Sequence, residues 1–247
     1  MYKAGTLEPA YILHARNYRD TSLILDLFTQ RSGRYSVISK GVRSPKSKIR
    51  SRLQPFSPLL IASVGSGELK TSTTIDFPRK PFGLIGKGLM LGLYVNELLY
   101  RLLDRFEPIA GLYQGYEDLL SELVLSEQSM SGQQLSIKES GGEVTAIRRF
   151  ELCLLQELGD GINLEYESRD GQLISADLNY RFVVHEGFHA IRESQGETFS
   201  GVEVLRIASG ELEQVDSKRL LNLTRLSLAE LLGDKPLKSR SLFRGAR

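Results

Sequence analysis

The hydrophobic period of this chain changes near residue 85, and that change limits its fold more than any other feature. In the first 80 residues apolar side chains alternate with others in five short runs. These are AYILHAR (10–16), SLILDLF (22–28), RYSVIS (34–39), PLLIASV (58–64) and ELKTSTTI (68–75). In the second run Leu23, Leu25 and Leu27 share one face and Asp26 takes the other, the period-two pattern of a half-buried strand. Gly33, Gly41, Gly65 and Gly67 stand at the corners. Five short strands so punctuated predict a small closed barrel, and the five-stranded barrel that holds nucleic acid strands is the OB-fold.

From about residue 89 the period becomes helical, with apolar side chains at 91, 94, 95, 98, 99, 102, 103 and 106. Asn96, Glu97, Arg101, Asp104 and Arg105 fill the opposite side of that helix. A second helix is predicted after Pro108, buried along Leu112, Tyr116, Leu119, Leu120 and Leu123. Residues 126–142 contain eleven Ser, Gln or Gly among seventeen and read as a mobile linker. A third helix stops at Gly159, residues 162–192 return to short strands around Asp170-Gly171 and Glu186-Gly187, and Ser200 to Glu203 has capping-box spacing. The last helix covers roughly 217–232. The expected architecture is α+β. A barrel domain over 1–80 precedes a mainly helical domain over 81–247, with a small β-hairpin region at 162–192 and a basic C-terminal tail.

Charge is divided just as unevenly. Residues 1–80 carry 14 Lys and Arg against 5 Asp and Glu, residues 81–234 carry 13 against 25, and the last thirteen carry 5 against none. No acid lies between Asp26 and Glu68, where eight cations fall: Arg31, Arg34, Lys40, Arg43, Lys46, Lys48, Arg50 and Arg52. Six of them crowd into KGVRSPKSKIRSR, residues 40–52. Two readings of this run stand side by side, a solvated basic face and a grip on a polyanion. Its position beside a barrel groove favours the second, with Tyr35, Phe28 or Phe56 as candidate stacking rings. Lys235, Lys238, Arg240, Arg244 and Arg247 either extend such a track or form a solvated tail.

Other motifs carry less. His185-Glu-Gly-Phe-His189 has the spacing of a zinc protease motif, but that chemistry needs a helix and the flanking RFVV and HAI read as strands. The glycines of FGLIGKGLM lack the strand and GK[ST] of a phosphate loop and read as a connector. Cys153 sits among leucines on a helix and reads as core, and His14 reads as a barrel-surface residue. The basic region holds no cluster of carboxylates to bind magnesium for phosphate chemistry. No apolar run approaches the ~20 residues of a membrane span, and MYKAGTLEPAY lacks the core of a signal peptide, so a cytoplasmic, nucleoid-associated protein without a cofactor is expected.

Six segments, taken in order, resemble the RecO family of bacterial recombination mediators. They are AYILHARNYRDTSLILDLFT, GRYSVISKGVR, LQPFSPLL, LYVNELLYRLL, IRRFELCLLQELG and KPLKSRSLFR, and together they span nearly the whole chain. The resemblance implies an N-terminal OB-fold, a mostly helical second domain and no enzymatic activity. It implies binding of single- and double-stranded DNA, annealing of complementary strands, and work with RecR, sometimes with RecF, to place RecA on strands coated by single-strand binding protein. Some members carry a four-cysteine zinc module, which a chain whose lone cysteine is Cys153 cannot build, so the likeness is to the zinc-free branch.

The eight cations from Arg31 to Arg52 are the expected phosphate contacts. Arg148, Arg149 and Phe150 are the candidate site for the acidic, apolar tail of single-strand binding protein. Two other functions stay open on the residues alone. One is an OB-fold RNA-binding protein, the other a protein adaptor that binds no DNA.

Overall fold

The computed structural model describes residues 5–130, 141–192 and 196–243. Five strands, β1 (Glu8–Tyr18), β2 (Ser22–Thr29), β3 (Gly33–Ser39), β4 (Leu59–Val64) and β5 (Leu69–Asp76), close into a barrel in the order β1-β2-β3-β5-β4. All neighbours are antiparallel except β3 and β5, which run parallel, and β1 pairs with β4 to complete the ring. This is the OB topology expected from the sequence. Ala10, Ile12, Leu25, Leu27, Val37, Leu59 and Ile61 fill its interior.

Asp26 departs from the half-buried pattern, being 1% exposed. Its Oδ1 accepts the Ser36 hydroxyl at 2.5 Å, and its Oδ2 lies 3.5 Å from Nδ1 of His14, whose side chain is exposed. Around Asp26 and Phe28 the outer face of β2 is therefore covered, and alternation along one strand could not register a cover made of distant residues.

The cover comes from α1 (Gly86–Leu102) and α2 (Ala110–Met130). Phe28 packs against Tyr113 and Tyr116, and Tyr11 against the same two rings. Asn96, expected on the exposed side of α1, is 2% exposed. Its amide donates to the carbonyls of Ile12 and Leu13 and its oxygen accepts the Tyr116 hydroxyl at 2.6 Å. The bulge between Ile12 and His14 leaves Leu13 without a partner on β2, and Asn96 meets the carbonyl there. Gly86 and Gly88, read as connector, belong to α1 itself.

The chain divides into two compact units. The first gathers residues up to Gln128 together with those from Lys235 onward, and the second is Ser129–Asp234. Within the first, a short 3-10 turn at Lys238–Ser241 docks on α1, where the backbone N–H groups of Lys238 and Ser239 donate to the two carboxylate oxygens of Glu97 at 2.9 and 2.8 Å. Partial burial works against ionisation of Glu97, but hydrogen bonds from Ser239 and Lys238, with Arg101 nearby, outweigh it and hold the carboxyl below its ordinary range.

The second unit holds α3 (Gly141–Glu157), a sheet of β6 (Asn179–Val183), β7 (Gly187–Ile191) and β8 (Phe199–Ser200) in the order β7-β6-β8, then α4 (Gly201–Ser209) and α5 (Ser217–Leu232). Its core joins Tyr180, Phe188, Phe199, Val204, Ile207, Leu220 and Leu223. The capping box forms as expected at Ser200 and Glu203, and Gly159 follows α3 with φ +87°. The Ser/Gln/Gly stretch 126–142 begins inside α2 and ends in the first turn of α3, while 131–140 lie outside the described residues.

Candidate nucleic-acid interface

The loop between β3 and β4 carries the basic run, and its apolar residues decide how that run is held. Val42 and Leu53 are buried in the barrel core, Ile49 packs against it, and Phe56 is 4% exposed with its ring against Gly92 of α1. Around these anchors Lys40, Lys46, Lys48, Arg50 and Arg52 are exposed, the last two on a short 3-10 turn. Apolar residues inserted among the cations thus pin the loop to the barrel and turn the charges outward. Among the described residues, none of Lys40, Lys46, Lys48 and Arg50 has a carboxylate within ion-pair distance. Arg52 lies over the ring of Phe77, 4.0 Å from its centroid, which orients the guanidinium without neutralising it.

Three of the eight cations are tied to the fold. Arg43 donates to the Arg19 carbonyl at 3.1 Å while its backbone N–H donates to Thr21, binding the loop to the β1–β2 turn. Arg31 donates to the Leu7 carbonyl. Arg34 donates from Nε to the Leu103 carbonyl at 2.8 Å and faces the Tyr100 ring. Burial, then the nearby Arg105, lowers the pKa of Arg34. The structure therefore brings the 40–52 cations together on one loop and spends Arg34 on joining β3 to the end of α1.

The stacking rings suggested from sequence are enclosed. Phe28 is 0% exposed, Tyr35 1% and Phe56 4%. Tyr35 stacks on Phe106 at 5.7 Å with the Lys70 ammonium 4.8 Å from its ring, and burial, foremost, pushes its phenol far above the ordinary range. Alternation put Phe28 and Tyr35 on barrel strands, but period two does not say whether a face meets solvent, core or helix, and Phe56 lies in the loop before β4.

Sequence reasoning passed over Arg16, Tyr18 and Arg19. Arg16 and Arg19 are exposed, and the Arg19 guanidinium lies 5.2 Å from the Tyr18 ring centroid. Their signal was present in HARNYR, where residues 14, 16 and 18 fall on one side of β1.

Of the C-terminal cations, Lys235, Lys238 and Arg240 are exposed around the docked turn, while Arg244 and Arg247 lie outside the described residues. In the second unit Arg148 is buried, donating to Glu151 at 2.6 Å and to the Thr224 hydroxyl at 2.9 Å. Arg149 is exposed and paired with Glu213 at 2.9 Å, and Phe150 is 3% exposed. Arg148 reaches a cavity of about 290 Å³ walled by Val144, Leu212, Val215 and Leu220, with Glu213 at its side. The HEGFH motif spans the β6–β7 turn, and its imidazoles approach different carboxylates, His185 near Glu230 and His189 near Glu186.

The fold and this loop define a class: an OB-barrel protein that displays a pinned basic loop between β3 and β4 and carries helices on its outer wall. The family described as Recombination protein O N terminal matches residues 5–78. The DNA repair protein RecO of Klebsiella pneumoniae is 38% identical over 236 residues, 95% of this chain and 91% of that protein. The protein of the same name from Salmonella typhimurium is 37% identical over the same length, 95% of this chain and 92% of the relative. The chain belongs to the RecO family. No described helix is long and apolar enough to cross a membrane.

Proposed function

We propose that this protein is a non-enzymatic recombination mediator. It binds single- and double-stranded DNA, anneals complementary strands, and with RecR helps to place RecA on strands coated by single-strand binding protein, RecF acting indirectly. The observation that carries the reading is the pinned loop, whose outward cations have no carboxylate within ion-pair distance among the described residues. Annealing must overcome repulsion between two polyanions, and a fixed positive surface that reads no sequence lowers that barrier without a catalytic centre. Lys40, Arg43, Lys46, Lys48, Arg50 and Arg52 hold phosphates, Arg31 and Arg34 chiefly set the loop's frame, and Lys235, Lys238 and Arg240 extend the positive surface.

For the tail of single-strand binding protein, the cavity beside Arg148 offers apolar walls next to a cation, which is what an acidic, apolar peptide end requires. Arg148, which is paired with Glu151, is the recognising group there, with Phe150 buried on the same helix. Substituting Val144→Glu and Arg149→Glu separately, with tail-peptide affinity read by anisotropy, tests the assignment. Unchanged affinity in both removes this site.

The main test is duplex formation from two labelled complementary oligonucleotides, one coated with single-strand binding protein, without nucleotide and across a salt series. With six to eight contacts, log K for single strands falls against log salt with a slope of roughly −4 to −6. Salt-insensitive binding points to the adaptor reading, and a clear preference for RNA to the RNA-binding one.

A further inference from the structure

Past His14 the outer wall of the barrel changes character. Three rows of side chains share that face: His14, Asp26 and Ser36; Arg16, Ile24 and Ile38; then Tyr18 and Ser22, with Lys40 just beyond β3. In the first row the buried Asp26 is occupied by its two neighbours. In the outer rows Arg16 and Lys40 are exposed, and Tyr18 and Ile38 are half-buried. An open cleft of about 430 Å³ is cut here, lined among others by Tyr18, Arg19, Ser22, Ile38, Lys40 and Thr71. Ile38 and Thr71, paired across β3 and β5, give it a floor of two apolar-bodied side chains.

Three features of this cleft point the same way. It offers a half-buried aromatic ring and an apolar floor, which suit the face of a planar heterocycle. It is flanked by cations, Arg19 and Lys40 at its edge and Arg16 on the same wall, against the exposed Asp20 at the turn. And it adjoins the basic loop directly, because the Arg19 carbonyl accepts from Arg43.

We infer that this cleft is a nucleobase seat that takes an unstacked base of single-stranded DNA. Tyr18 meets the base, while Lys40 and Arg19 hold the phosphates on either side. A duplex cannot use the seat, since both faces of each of its internal bases are already stacked. The basic loop thus holds either form of DNA by its phosphates, and the seat engages single strands alone. The inference rests on the DNA-binding reading and deepens it by assigning strand-state preference to a particular residue.

The test measures the affinity of the full chain for a single-stranded oligonucleotide, for its duplex and for the matching RNA at one salt concentration. The parent is compared with Tyr18→Ala and Tyr18→Phe. The expected result is roughly a tenfold loss for single-stranded DNA in Y18A, with duplex affinity unchanged to within about twofold and Y18F close to the parent. Photocrosslinking of a 5-iodouracil-substituted strand to the unmutated protein gives a second readout, expected on the peptide that contains Tyr18. Equal losses for single strand and duplex overturn the seat, as does unchanged single-strand affinity with crosslinks elsewhere. A parent that binds RNA much more tightly than DNA overturns the choice of ligand. A parent that binds neither form of DNA overturns the DNA-binding reading itself.

Discussion

The two ends of the barrel's outer wall are made from the same strands and differ in what covers them. Where α1 and α2 lie over the wall, Tyr11, Phe28, Tyr113 and Tyr116 pack ring to ring, and Tyr11, Asn96 and Tyr116 find hydrogen-bond partners within the chain. Tyr11 donates to Glu117 at 2.6 Å and accepts from Arg79, which also pairs with Glu117. Burial first, then the bond to Glu117, drives the Tyr11 phenol far above its ordinary range. Beyond His14 and along the 40–52 loop, the exposed side chains include Arg16, Arg19, Lys40, Lys46, Lys48 and Arg50, and among the described residues none of these has a carboxylate within ion-pair distance. Burial obliges polar groups to pair locally, whereas an uncovered wall can keep its charge for an external anion.

The largest expected effect breaks the basic end alone. Replacing Lys40, Arg43, Lys46, Lys48, Arg50 and Arg52 together with alanine removes up to six phosphate contacts, so single-strand affinity should fall by about a hundredfold or more and the salt slope should flatten by roughly 4. A thermal melt close to the parent's would show that Val42, Ile49, Leu53 and Phe56 hold the loop without its charges.

Next is the covered end, where Asn96→Ala strands the Tyr116 hydroxyl and two backbone carbonyls. A destabilisation of about 2–4 kcal/mol in urea unfolding is expected, with DNA affinity per folded molecule unchanged. Loss of DNA affinity at full stability would erase the distinction between the ends.

Gly92→Ala probes their junction. The added Cβ would sit 2.8 Å from the Phe56 ring, so crowding of about 1–3 kcal/mol is set against a helix-propensity gain of about 1 kcal/mol. A modest net destabilisation is expected, accompanied by faster amide exchange in residues 53–56.

The smallest effect concerns Glu97. Its carboxyl is depressed in the folded state, so its contribution is fully present above the unfolded value of about 4.3. It is lost as pH falls through the lower folded value. Amide protection at Lys238 and Ser239, corrected for intrinsic exchange, should therefore weaken in acid below that range, and Glu97→Gln should remove this pH dependence.

Much of this contrast was legible in the sequence. All five barrel strands, the buried edge of α2 and the capping box at Ser200 follow from period and spacing, because they depend on residues close in the chain. The basic loop was equally visible, since a stretch of 41 residues without an acid needs no structure to be noticed. What escaped depends on distant residues laid over a local pattern. Asp26 and Asn96 look like solvent-facing groups until β1, β2, α1 and α2 are assembled, and Phe28, Tyr35 and Phe56 look like available rings until their covers arrive. Arg34 reads as one more cation because the Leu103 carbonyl it serves lies 69 residues away.

The clasp of Lys238 and Ser239 on Glu97 has a consequence for the order of events on the ribosome. The second unit is an insertion within the first, leaving it after Gln128 and returning at Lys235. The strands of the barrel are contiguous and are made within the first 76 residues, so they can pair while the rest is still being translated. The clasp must wait until more than a hundred further residues have been added and the intervening unit has been threaded out. Completion of the first unit is therefore a late step, and a nascent chain stalled before residue 238 would present α1 with Glu97 unclasped.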